Sequence, residues 1–115
     1  MVSPDGRWLA GYDRAHPGHP LGGAVIYSLQ GQAYQRVTEF GGPTGGSPVW
    51  LSDSRRLLFA FQGKLLLVDS RTKKTHEVLS VPGEVLGYPS LSRDNREIYF
   101  TRGSTEADIW MATLK

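Results

Sequence analysis

Cysteine is absent from all 115 residues, which excludes disulfides and thiolate metal sites and fits cytoplasm and periplasm alike. No basic-then-apolar leader stands in the chain, and no apolar run approaches the length of about 20 residues that a membrane helix needs. Export and membrane spanning are therefore not expected. Charge of one sign is also missing. Thirteen Lys and Arg oppose 11 Asp and Glu for a net charge of +2, and the basic residues are scattered among acids, which argues against nucleic acid as a partner. No segment carries a helical apolar period. No Gly-x-Ser-x-Gly elbow offers a hydrolase nucleophile. The glycine-rich stretch 41–46 lacks the Gly-Lys-Ser/Thr ending of a phosphate loop, so it reads as a connection between units.

What is present is turn chemistry, with 14 glycines and 7 prolines between short apolar runs, and a repeat. Pro48-Val49-Trp50-Leu51-Ser52-Asp53-Ser54-Arg55-Arg56 is echoed by Pro89-Ser90-Leu91-Ser92-Arg93-Asp94-Asn95-Arg96, and Ser3-Pro4-Asp5-Gly6-Arg7 matches its second half. Asp5, Asp53 and Asp94 mark one position in three units, 48 and 41 residues apart. A period of about 40 residues built from short strands predicts β-sheet blades stacked as in a propeller. At the position after the aspartate, Gly6, Ser54 and Asn95 favour a tight turn, since Gly and Asn tolerate positive φ and Ser closes turns through its hydroxyl.

The predicted class is therefore all-β, with four-stranded antiparallel blades. Strands are expected at 7–12, 56–61 and 97–102, at 24–29, 64–69 and 108–113, at 33–38 and 75–79, and at 47–51 and 87–91. Continuous runs such as Leu57-Leu58-Phe59-Ala60-Phe61 and Leu65-Leu66-Leu67-Val68 predict strands buried on both faces. The units divide a single domain at about 1–46, 47–86 and 87–115, which makes about two and three-quarter blades against the four or more of a closed ring. Two expectations follow. Either the chain is the C-terminal part of a longer propeller, or copies of it assemble as a homo-oligomer to complete one.

The Ser3-Pro4-Asp5-Gly6-Arg7, Pro48-Val49-Trp50 and Asp108-Ile109-Trp110 elements resemble the repeats of TolB-like, WD-repeat-like β-propellers. Their consensus runs Pro-x-Trp-Ser-Pro-Asp-Gly, then an apolar strand, then an Asp-Ile-Tyr-type strand. Here Ser52 and Arg93 replace the second proline, Ser54 and Asn95 the glycine, and Leu91 the tryptophan. The resemblance implies a bacterial, non-catalytic scaffold for protein or peptide binding or for ligand sensing. Its alternative is the accessory, gating propeller of a prolyl-oligopeptidase-like serine hydrolase with the catalytic domain elsewhere.

The residues nominate no catalytic, cofactor-binding or metal-binding group. His16 and His19 are two imidazoles without the third and fourth ligands that zinc needs. Glu39, Glu77, Glu84, Glu97 and Glu106 fall singly, with no pairing for acid–base work. Trp8, Trp50 and Trp110 are expected to fill the wedges between blades. In an up-and-down blade the long segments 13–23, 41–46, 82–87 and 103–107 all emerge on one face, opposite a face of tight turns. Loops on a rigid scaffold carry binding, so Arg14, His16, His19 and Tyr88 are the candidate recognition residues.

Overall fold

Short apolar segments between strong turn formers give ten strands among the residues that a computed structural model describes, 1–41, 46–103 and 108–114. They are β1 (Trp8–Asp13), β2 (Gly23–Ser28), β3 (Tyr34–Arg36), β4 (Val49–Trp50), β5 (Arg56–Phe61), β6 (Lys64–Asp69), β7 (Thr75–Ser80), β8 (Leu86–Leu91), β9 (Glu97–Arg102) and β10 (Asp108–Thr113). They pair antiparallel into three sheets, β1-β2-β3, β4-β5-β6-β7 and β8-β9-β10. The all-β, blade-type architecture read from the repeat is the one observed. Two expected strands are shorter than their apolar runs. Strand β3 ends at Arg36 because the amides of Val37 and Thr38 both turn onto the Ala24 carbonyl (2.8 and 3.3 Å). The expected innermost strand over 47–51 reduces to Val49–Trp50, and the Leu51 amide already closes the next turn on the Arg56 carbonyl (2.9 Å). In the first unit only the tail of an innermost strand is present, as the Val2–Leu9 bridge.

The repeated aspartate is a turn former. Asp5 Oδ1 accepts from the Arg7 amide (3.0 Å), Asp53 Oδ1 from the Arg55 and Arg56 amides (3.0 Å each) and Asp94 Oδ1 from the Arg96 amide (3.1 Å). One residue later the backbone is left-handed in all three turns, with φ of 74° at Gly6, 55° at Ser54 and 59° at Asn95. The two departures from glycine have a use. Ser54 Oγ accepts from the Asp5 amide of the first unit (3.0 Å), and Asn95 Oδ1 accepts from the Ser52 amide of the second (2.6 Å). Each substituted turn is thus tied to the turn of the preceding blade.

The cores lie between sheets. Ala10 and Ile26 of the first sheet pack with Trp50, Leu57, Phe59, Leu66 and Val68 of the second. The opposite face of the second sheet, Leu58, Ala60, Leu65 and Leu67, packs with Leu86, Ile98 and Phe100 of the third. Strands β5 and β6 are covered on both faces, which is why their sequences are continuous apolar runs and do not alternate. Trp50 fills a wedge as expected and donates its indole N–H to the Met1 carbonyl (3.0 Å). Trp8 is only partly buried against the same cluster. Trp110 departs from the expectation: it is 45% exposed, with the Arg102 guanidinium 4.6 Å above its ring.

Candidate functional site

The described parts of the long connections lie at the end of the sheets where β1 turns into β2 and β5 into β6. Residues 42–45 and 104–107 of those segments lie outside the described residues. At this end lies the junction of the second and third sheets. There Gln62 (φ 49°) and Gly63 (φ 75°) turn β5 into β6, and the 81–85 loop crosses directly above them. The Val81 amide donates to the Gly63 carbonyl (2.8 Å), the Glu84 amide to the Val81 carbonyl (3.2 Å) and the Gly103 amide to the Val85 carbonyl (3.2 Å). A β-carbon at Gly63 would stand 2.9 Å from the Val81 carbonyl oxygen and 3.0 Å from that of Glu84. Glycine is required there because backbone, which cannot step aside, occupies the space.

These residues line a cleft of about 420 Å³, with Ala60, Phe61 and Leu86 as an apolar floor and Glu84 and exposed Val85 at the rim. Glu84 is paired with Arg102 through two hydrogen bonds, one of them 3.3 Å. The Arg102 hydrogen bond holds the Glu84 carboxyl below its usual range. A second cleft of about 240 Å³ adjoins it, sharing Phe61 and Gln62 and adding Leu21 of the 13–23 loop. The two form a track from the 13–23 loop to the start of β8, apolar along its floor, with the Arg102-paired Glu84 at one edge and exposed Lys64 at the other cleft.

The structure brings some of the nominated residues together. His16 and His19 face each other around the Pro17-Gly18 turn, with ring centroids 5.3 Å apart, and their backbones exchange hydrogen bonds of 3.1 and 2.8 Å. Each ring already has a carboxylate: Asp13 Oδ2 lies 3.3 Å from His16 Nε2, and Glu39 Oε2 lies 2.9 Å from His19 Nδ1. Arg36 also binds Asp13 and donates to the Gly22 carbonyl (3.1 Å). The histidines therefore brace the 13–23 loop onto its own blade. Among the described residues no group of three or more His, Cys, Asp or Glu is placed to hold a metal ion. Arg14 is exposed beside them.

Tyr88 stands apart, in β8, at an irregularity in the β8–β9 pairing between Gly87 and Ser90. Its φ is 49° and it is 68% exposed. A bulky residue in left-handed backbone is strained. Sequence reasoning nominated Tyr88 for its place near the long-loop face and included Val85 only within the 82–87 segment, but missed Gln62 and Gly63. Their signal was a Gln-Gly turn between two buried strands, too short to rank as a loop. The opposite face carries a polar cleft of about 340 Å³ lined by Asp5, Arg7, Asp53, Ser54, Ser70 and Arg71, among others. Its carboxylates are already taken up by the turn amides described above.

Three consecutive antiparallel blades with their cores between sheets define a TolB-like β-propeller fold. TolB from Acinetobacter baumannii superposes on this chain with a TM-score of 0.74 at 17% sequence identity. The match covers 97% of this chain and 28% of that TolB chain, so the present chain spans under a third of its length. At that identity the likeness concerns fold. No family model and no curated protein matches the sequence. Among the described residues no helix is long and apolar enough to cross a membrane.

Proposed function

We propose that residues 1–115 act as one non-catalytic propeller scaffold that binds a protein or peptide segment on its long-loop face. The observation that carries this reading is the track from Leu21 past Gln62 to Val85, apolar along its floor and held by loop-to-loop backbone bonds. Apolar floors with few convergent polar groups suit side chains of a peptide better than a charged small molecule. Exposed Tyr88, with its left-handed backbone, lies against Gly46 of the long-loop face and is a candidate contact on it. Arg14, His16 and His19 then form the first-blade rim of the recognition surface.

The test begins with a displayed library of random peptides selected on the immobilised chain. Binders are then measured against Val85→Ser, Tyr88→Ala and the pair Arg14→Ala/His16→Ala, with Arg7→Ala/Arg71→Ala on the opposite face as control. The reading predicts at least a tenfold loss for the first group and little change for the control. Binders that ignore the first group and depend on Arg7 and Arg71 contradict it.

A further inference from the structure

The pairing registers align the three blades residue by residue. Ala10, Leu58 and Tyr99 are equivalent, as are Ala24, Leu65 and Ile109, and Ile26, Leu67 and Met111. In the first two blades these positions face the next blade and are buried, at 0–9% exposure. In the third blade Tyr99, Ile109 and Met111 are 39%, 79% and 60% exposed. The reverse holds at the other end. Leu9 is equivalent to Leu57 and Ile98, each fully buried against the preceding blade, yet Leu9 is 41% exposed with Val2 opposite it at 51%. The chain thus presents a forward apolar face and a rear apolar face. Each continues apolar rows that the internal joints bury, with Gly11 the exception on the rear face.

We infer that the forward face of the third blade docks on the rear face of the first blade of a second copy. Reciprocal docking closes a two-fold ring of about six blades, within the usual four to eight. Size complementarity favours a second copy over an unrelated occupant. At the first internal joint small Ala10 shares its cluster with large Phe59, and at the second Leu58 does so with Phe100. Gly11 is the rear-face equivalent of Phe59 and Phe100, and a β-carbon there would meet nothing within 4 Å. The largest forward residue of that row, Tyr99, therefore meets the smallest rear residue with open space above it. One element of the internal joints is missing. Gly6 has no side chain to accept the turn-to-turn bond that Ser54 and Asn95 accept, so the new joint is weaker than the internal ones and reversible.

The experiment measures solution mass by light scattering across concentration, for the chain and two variants. Met111→Glu charges the forward face and Gly11→Arg fills the rear one. Both positions are open in the single chain, so both variants keep their fold, checked by circular dichroism. The chain is expected to move from 12.7 kDa to twice that mass as concentration rises to roughly 100 μM. Each variant alone stays monomeric, and an equimolar mixture recovers the dimer, because one joint is then unaltered and the other pairs opposite charges. A chain that remains monomeric overturns the proposal, with the blades' cover then coming from another polypeptide segment. A dimer indifferent to both variants, or a mixture that stays monomeric, overturns the head-to-tail geometry.

Discussion

Side chains at the three repeated turns separate the conformational from the bonding contribution of a residue. Asn95 holds a left-handed φ of 59° and accepts the Ser52 amide of the neighbouring blade. Asn95 Nδ2 also donates to the Ser92 carbonyl (3.2 Å), so Asn95→Gly loses two side-chain bonds, each about 0.5–1.5 kcal/mol, whereas Asn95→Ala adds the left-handed backbone cost of about 1–2 kcal/mol. Denaturant unfolding should rank wild type above glycine above alanine, and an alanine variant equal to glycine would contradict the strain argument. Asp69 offers a pH test. Its carboxylate accepts from Arg55 and from the Arg71 and Thr72 amides, and the Arg55 bond first among these lowers its pKa to about 2. The folded chain binds this proton less readily than the unfolded chain, whose carboxyl titrates near about 3.9. The stabilisation is therefore complete above pH about 4 and lost as the pH falls toward about 2. Asp69→Asn should lessen the fall in melting temperature over that window, leaving the part that comes from the other carboxylates held below their usual range by hydrogen bonds, Asp5, Glu84 and Asp94 among them.

At the scale of strands and loops, the β5–β6 turn and the 81–85 loop behave as one piece. Gly63→Ala places a β-carbon against two carbonyl oxygens at a φ of 75°. It should cost about 1–3 kcal/mol and weaken peptide binding at the cleft, read by thermal unfolding and by titration with a selected peptide. An unchanged melting temperature would show that the loop does not sit on the turn. Most of this level was legible in the sequence. The Asp-Gly, Asp-Ser and Asp-Asn dipeptides marked the turns, and the runs 57–61 and 65–68 marked strands covered on both faces. The clefts were not legible, because they form where loops distant in sequence meet. Only the approach of Val81 and Glu84 to Gly63, and of Leu21 to Phe61, creates them. Tyr88 was nominated for its place near the long-loop face, but its positive φ accompanies the irregular pairing of β8 with β9, which no local pattern announces.

At the scale of the whole molecule, three equivalent blades are covered unequally. Strands β5 and β6 of the middle sheet are buried on both faces, and the outer sheets on one each. Burial on both sides makes β5 and β6 the last strands to open, while β1, β9 and β10 open locally at lower cost. Their exposed rows are also the surfaces that a second copy covers, so their protection should depend on concentration while that of the middle blade should not. Amide hydrogen exchange, resolved by residue at low and high protein concentration, tests this most directly. The account predicts the slowest exchange in β5 and β6 at both concentrations, with β1, β9 and β10 slowing as concentration rises. A middle sheet that exchanges as fast as its neighbours would contradict it.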